Sequence, residues 1–500
     1  MVRNTSVAIV SLGLLLGAAS CNSFLTGDKL SSTPNQPASA SLQQLFMGVQ
    51  ATQFALQEGQ IPMMVCMWVQ ACGASGNRFV ELSGRYNFTV ASNVGANTAD
   101  WALIYDAGGL VDIHQAEADA RTAGDSTWLG IAKIWEALTV GSTADQWGNI
   151  PYSQIATSPT PAADDQFAVY NAVQTLLDEA IAELRNASGG GPTTADLVFR
   201  GDRTKWIAVA YTLKARYFMH TAESLGTPAY QNAITAATNG IGDNTGAGDF
   251  RAFHSSAPAE RNMWAQFQGT SFGNDIKAGK TLTDIMNARN DPRLPAYFCL
   301  NGNGGYGGQD FNVPQLAATI SGYGCTPAPQ RFGDTFRVPY VTYGENELIL
   351  AEANKCLASA LPCNHTTATA TAGDPTALTH LNNERTYVNT LYPATAPQVA
   401  LPPVGAVVGA ALLDSIMTDK YVLMFQNMET IMDYRRTCIP TITPVVAGNT
   451  LGFKNVPGEL FFPLSELDAN PGLPNQSTRL AAHFFRTPGD THACTNDAAP

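Results

Sequence analysis

Helical periodicity, punctuated by capping residues, constrains this chain more than any other feature. Phe167, Tyr170, Val173, Leu177, Ala180, Ile181 and Leu184 recur at helical spacing behind Asp165, whose carboxylate suits the first free amides of a helix. Trp206, Ala210, Leu213 and Tyr217 repeat that spacing after Gly201-Asp202, a second capping signal. Further helical stretches fall at 42–57, 98–120, 127–140, 345–360 and 410–433. Amphipathic helices that follow one another closely bury their apolar stripes by packing as hairpins, so the spacing predicts an all-α framework of stacked helical hairpins without a fixed repeat length. Between the helices lie long segments at about 72–97, 240–275, 296–340 and 437–500, rich in Gly, Pro and aromatics. Loops of this length in a compact domain are commonly functional, and on a helical frame these are expected to form a ligand-binding face.

The N-terminus carries a different signal. Arg3 is the one cation before an apolar run from Val7 to Gly17, and the small residues Ala18-Ala19-Ser20 end at Cys21. A charged start, a short apolar core and a small-residue cleavage site describe a secretory signal, and the run is shorter than the roughly 20 residues a membrane span needs. Cysteine directly after the cleavage site predicts lipoprotein processing, with Cys21 as the acylated first residue. The expected organisation is a signal peptide over 1–20, a lipid-anchored flexible tether over 21–40, polar and rich in Ser and Pro, and one helical domain over 41–500.

Charge narrows the partners. With 28 Lys+Arg against 41 Asp+Glu the formal net charge is −13, and no basic cluster offers itself to a phosphate backbone, so nucleic acid is not expected. Charged residues make up only 14% of the chain, which favours neutral, hydrogen-bonding surfaces. Apart from Cys21, eight cysteines remain, an even number that suits an oxidising compartment. Short loop closure favours neighbour pairing as Cys66–Cys72, Cys299–Cys325, Cys356–Cys363 and Cys438–Cys494; buried free thiols are the alternative, and no pair has zinc-type CxxC spacing.

Strings that resemble enzyme motifs do not hold up in context. Gly269-Thr270-Ser271-Phe272-Gly273 fits G-x-S-x-G, yet nothing around it reads as the strand-turn-helix of a nucleophile elbow. The glycines from Gly302 to Gly307 fit G-x-G-x-x-G but no helix start follows to receive a phosphate. His114/Glu117 and His220/Glu223 read as exposed helical neighbours rather than metal ligands. No catalytic constellation, metal site or cofactor is expected. Neutral sugars and peptides are gripped by aromatic faces and side-chain amides, so the expected ligand-binding residues are Trp68, Arg85 and Tyr86 in the first loop region, Trp264 in the second, and Tyr297, Tyr306 and Tyr323 in the third, with Asn77, Asn301 and Gln309 as hydrogen-bonding partners.

Six segments, in order, carry a family resemblance. Asp145-Gln-Trp147-Gly148-Asn149-Ile150-Pro151-Tyr152-Ser153 resembles the DxWGDIPY segment of SusD/RagB-type outer-membrane lipoproteins. Gly201-Asp202, Lys205-Trp206 and Leu213 to Arg216 look like that family's GDxxKW helix, and Asp291-Pro292-Arg293 like its DPR turn. Glu345 to Ala353 resembles its ExxLixAEA helix. Tyr421 to Phe425, Glu429, Asp433, Arg435, Arg436 and Pro440 follow its D-x-RR-x-x-x-P helix, and Pro457, Pro463, Glu466 and Asn470 its closing motif. Glu459, Phe462 and Ile431 depart from the family's usual residues. Physically, Trp147, Pro151 and Tyr152 read as plugs between hairpins, and Glu345, Glu352 and Asp433 as partners for Arg435 and Arg436.

The resemblance implies tetratricopeptide-like hairpins and a nutrient-binding lipoprotein of the outer membrane, facing the cell exterior. Such a protein passes oligosaccharide or peptide to a TonB-dependent, SusC-like transporter and performs no chemistry. A helical-repeat scaffold for envelope assembly is the alternative of another class, and a secreted esterase using Ser271 a remote third.

Overall fold

The computed structural model describes residues 40–76, 79–87, 98–106, 108–364, 367–450 and 456–473. Cys21, Asn77 and Cys494 lie outside these described residues. The chain is mostly helical. Ser41 opens α1 (Leu42–Glu58) with a capping box closed by Gln44, and Gly59 separates α1 from α2 (Gln60–Trp68). Then come α3 (Thr98–Tyr105), α4 (Leu110–Ala123), α5 (Ser126–Trp147), α6 (Gln166–Asn186), α7 (Arg203–His220) and α8 (Thr227–Ala237). The later helices are α9 (Met263–Gln268), α10 (Lys280–Ala288), α11 (Tyr343–Cys356), α12 (Asp374–Leu391), α13 (Gly409–Leu423), α14 (Glu429–Thr437) and α15 (Leu464–Ala469).

The caps read from the sequence are in place: Asp165 accepts from the amides of Phe167 and Ala168 at 2.9 and 3.2 Å, and Asp202 from those of Thr204 and Lys205 at 3.0 and 3.2 Å. Consecutive helices pack as hairpins, α5 on α6, α7 on α8 and α11 on α12, around one continuous apolar core. Helices α5 and α7 approach closely at Gly141, where a Cβ would lie 2.1 Å from the Tyr217 ring. Two expected helices are broken. The 98–120 stretch divides into α3 and α4 at Gly108, whose φ of +81° no β-carbon tolerates easily and whose Cβ would meet Thr52. The 410–433 stretch divides into α13 and α14 around Gln426, at φ +73°.

Short antiparallel strand pairs stitch the irregular segments: β1 (Cys72–Ala74) with β5 (Ile276–Ala278), β2 (Ile150–Pro151) with β3 (Ala163–Asp164), and β4 (Phe250–Arg251) with β6 (Pro339–Val341). Disulfides join Cys66 to Cys72, Cys299 to Cys325 and Cys356 to Cys363. Cys438 is also disulfide-bonded.

A buried ionic network ties the helices together. Arg216 on α7 forks onto Glu345 of α11 at 2.6 and 2.7 Å and donates to the Tyr340 carbonyl. Arg436 on α14 forks onto Glu352 at 2.6 and 3.1 Å and reaches Asp433 at 2.6 Å, while Lys420 of α13 reaches the same Asp433 at 2.7 Å. Arg435 instead donates to the Asp145 carbonyl at 2.9 Å. Trp147 donates to the Phe461 carbonyl at 2.9 Å, and Tyr152 to Glu136 at 2.7 Å.

Both histidine pairs differ from their expected exposed state. His220 is fully buried: its Nε2 lies 2.8 Å from Glu429 Oε1, and its Nδ1 makes an ion-pair contact of 2.8 Å with Asp145 that lacks good hydrogen-bond alignment. Glu223 accepts from Tyr230 and the Cys363 amide. His114 contacts Glu136 at 2.8 Å, and Glu117 is buried, where desolvation and a shared hydrogen bond with Glu136 push its carboxyl up to about 9. Sequence spacing within one helix could not show these partners, which come from other parts of the chain.

Burial would depress the His220 imidazole, but the Asp145 and Glu429 carboxylates more than reverse this and hold it at about 9, against an ordinary 6.5. A cation with a raised folded pKa stabilises fully below its unfolded value and loses that contribution as pH rises through the folded one. Thermal melts should therefore fall between pH 7 and 10, and His220→Gln should flatten that slope; an unchanged slope would refute the pairing. Arg436→Met, which takes the guanidinium fork from Glu352 and leaves Asp433 with Lys420 alone, should cost about 3–5 kcal/mol in chemical denaturation.

Candidate functional site

Five of the expected ligand-binding aromatics are core residues. Trp68, Tyr86, Trp264 and Tyr297 are 0% exposed and Tyr323 1%, so none presents a ring face to a ligand in this arrangement. Trp264 meets Phe332 edge-on at 5.8 Å, and Tyr323 stacks on Phe332 at 4.0 Å. Tyr297 stacks on Phe425 at 5.0 Å with the Arg331 guanidinium 4.6 Å from its ring. The physical reason is that the long connecting segments, and the short helices α2 and α9 that border them, have little amphipathic surface of their own, so their aromatics supply the apolar filling that anchors them to the helical frame.

The remaining expected residues are partly accessible but dispersed. Arg85 is half-buried and ion-paired with Glu81. Tyr306 is half-buried, and its backbone carbonyl accepts from Asn287 at 2.8 Å. Asn301 folds its own loop, accepting from the amides of Asn303 and Gly305 and donating to the Thr319 carbonyl. Gln309 donates to the Asp310 carbonyl.

The first and second loop regions do meet, through other side chains. β1 pairs with β5, the Ser75 amide donates to the Asp275 carbonyl at 2.7 Å, and the Cys66–Cys72 disulfide fixes the end of α2. Between α2, the helical turn Phe79–Gly84 and α9 opens a cleft of about 320 Å³. One wall is Gln60, Met63 and Met64; the other is Met263, Gln266 and Phe267, with Phe79 and Ser83 between them. Asn262 caps α9, accepting from the Trp264 and Ala265 amides at 2.8 and 3.2 Å, and its own amide donates to the Phe336 carbonyl at 3.0 Å.

Phe79 and Phe267 meet edge-on at 5.8 Å. No charged side chain lines the cleft, and Ser83 Oγ, buried there, has no hydrogen-bond partner among the described residues. Such a lining suits a neutral ligand with an apolar face and hydrogen-bonding edges.

A signal for these residues was present in the sequence. Gln60, Met63 and Met64, and again Met263, Gln266 and Phe267, sit at i, i+3 and i+4, one face of a helix turn. The second set lies in a segment expected to be irregular, where Trp264 was the expected ligand contact. Trp264, one residue on, points into the core.

Two other groups of residues have a settled geometry. Asp145, His220 and Glu429 place potential metal-ligating atoms within 4.8 Å of one another. The imidazole already spends one nitrogen on each carboxylate, and Tyr170 donates to Asp145 at 2.7 Å, so the group is an ion network. Ser271 follows helix α9 rather than a strand, which leaves it without the turn a nucleophile elbow needs.

The two tryptophan-phenylalanine neighbours give a direct contrast. Trp264→Ala should cost about 3–5 kcal/mol of stability, as large core truncations do, whereas Phe267→Ala should leave the melting temperature within a few degrees and weaken ligand binding. Denaturation and calorimetric titration of both variants check this; a Phe267→Ala protein that unfolds as readily as Trp264→Ala would make the cleft part of the core.

No curated protein matches the sequence at a significant level. Among solved structures the chain is similar to a chitin-binding protein at 21% identity and TM-score 0.69, covering 88% of this chain and 98% of that one. It is similar to a chitin-binding SusD homologue from Flavobacterium johnsoniae at 18% identity and TM-score 0.70, covering 90% and 98%. A SusD/RagB family protein from Bacteroides thetaiotaomicron aligns at 19% identity and TM-score 0.64, covering 87% and 95%. These likenesses establish the fold. The family model described as "Starch-binding associating with outer membrane" matches residues 34–463, and with the helical hairpins and the motif residues in the buried network this places the chain in the SusD-like family.

Proposed function

We propose that this chain is an outer-membrane lipoprotein, anchored through Cys21 and a flexible tether, that binds oligosaccharide in the cleft between α2 and α9. It delivers the ligand to a TonB-dependent, SusC-like transporter and catalyses nothing itself. The observation that carries this reading is the family match over residues 34–463. Among the described residues no helix is long and apolar enough to cross a membrane, which fits attachment by a lipid rather than by a span.

The cleft supports a neutral ligand. A sulfated or uronic polymer would find no lysine or arginine in its lining. Met63, Met64 and Met263 are flexible and polarizable, and pack against small apolar groups, such as the methyl of an acetamido substituent. Two similar solved structures are chitin-binding, so N-acetylglucosamine oligomers are the first ligands to try.

Calorimetric titration should show N-acetylated oligomers binding and a sulfated glycan of equal length failing to bind. Capture of the acylated protein from gently solubilised outer membranes should bring down a transporter in near-stoichiometric amount. Assembly factors in its place would favour the scaffold alternative.

A further inference from the structure

A second cleft, larger than the first and different in chemistry, opens beside α3. Its volume is about 540 Å³, and it lies between α3, α4, the loop that follows β2, and α15. Its walls are built and held. Trp101 is wedged edge-on between Trp147 and Phe462, at 5.4 Å from each, and packs on Tyr105 at 4.7 Å. The Tyr105 hydroxyl donates to the Pro151 carbonyl at 2.8 Å, and Asn470 donates to the Pro161 carbonyl at 2.8 Å, tying loop and closing segment together.

The charge in this cleft has one sign. Asp106, which is exposed, and Glu466, which is half-buried, both line it, and no lysine or arginine contributes to the lining. His114 also lines it, but its Nε2 is held by Glu136 at 2.8 Å, so any positive charge it carries is already matched from behind. A ligand that settles here strips water from two carboxylates. Hydroxyl donors recover part of that loss; a cation recovers more, because its hydrogen bonds to carboxylates are charge-assisted. The Tyr105 ring adds a surface that attracts cations.

We propose that this cleft is a binding site for a protonated primary amine, carried by an amino sugar or by a lysine side chain. It is separate from the neutral cleft between α2 and α9, and does not depend on the ligand assigned there. The two clefts divide by charge: an N-acetylated sugar suits the first, and the same sugar with a free amine suits the second.

The test uses the full chain and three probes in calorimetric titration: a β-1,4-linked glucosamine trimer, its N-acetylated counterpart, and a capped trilysine peptide. Asp106→Asn combined with Glu466→Gln removes the charge, and Ala156→Trp fills the cleft while leaving the charge intact. Amine probes should bind the unaltered protein and lose about tenfold or more in affinity in both variants, as expected for lost charge-assisted bonds. Phe267→Ala should leave their binding unchanged, and the N-acetylated trimer should be indifferent to the double substitution.

Binding by the glucosamine trimer identifies the sugar source, and binding by trilysine alone identifies a peptide source. Amine binding that survives Ala156→Trp would show diffuse attraction to the acidic surface and overturn the site. So would failure of both amine probes to bind.

Discussion

The buried charges between the hairpins are the constraint on which the rest of the fold depends. Arg216, His220, Lys420, Arg435 and Arg436 are all buried, as are Glu345, Glu352, Glu429 and Asp433. Taking one of these groups out of water is costly, and attraction between partners offsets that cost only when geometry is close and complete. A helix that rotated or slid by one residue would leave a charge unmatched in the interior. The network thus fixes the register of α7, α11, α13 and α14 against the end of α5 more sharply than apolar packing could, since apolar side chains tolerate exchange of neighbours. It also accounts for the resemblance motifs: Arg216, Glu345, Glu352, Glu429, Asp433 and Arg436 belong to three separated motif segments that meet only in three dimensions.

Around this frame the irregular segments build a second apolar centre. Trp264, Tyr297, Phe298, Tyr323, Phe332 and Phe425 pack ring against ring. With β1/β5 and the Cys66–Cys72 and Cys299–Cys325 disulfides, this anchors long loops that have no periodicity of their own. The rigid backing lets adjacent side chains line a cleft without being drawn into the core. The two clefts consequently differ in chemistry while resting on the same scaffold, one apolar and uncharged, the other walled by aromatics and edged with carboxylates.

Much of the helical frame was legible residue by residue. Asp165 and Asp202 announce helix starts because short carboxylate side chains satisfy free amides there. The apolar spacing behind them requires one buried face, and α6 buries Val169, Tyr170, Val173, Leu177, Ala180, Ile181 and Leu184 as that spacing demands. The interruptions at Gly108 and Gln426 were not legible, because the residues on either side keep helical periodicity and the break follows from a backbone conformation that tertiary contacts impose. His220 and Glu223 were misplaced for a related reason: local spacing shows which side chains are neighbours on one helix, and their partners Glu429, Asp145, Tyr230 and the Cys363 amide come from elsewhere.

The binding face shows the same division. The sequence by itself determined that aromatic, glycine-rich loops would sit on a helical frame, that neighbouring cysteines could close short loops, and that the chain carries a net negative charge. Only the tertiary structure decided which aromatics face inward. Trp264 and Phe267 are three residues apart and chemically alike, yet one is sealed under Phe332 while the other lines a cleft. Burial is a property of what packs on top of a residue, and for irregular segments that covering comes from distant parts of the chain which no local pattern encodes.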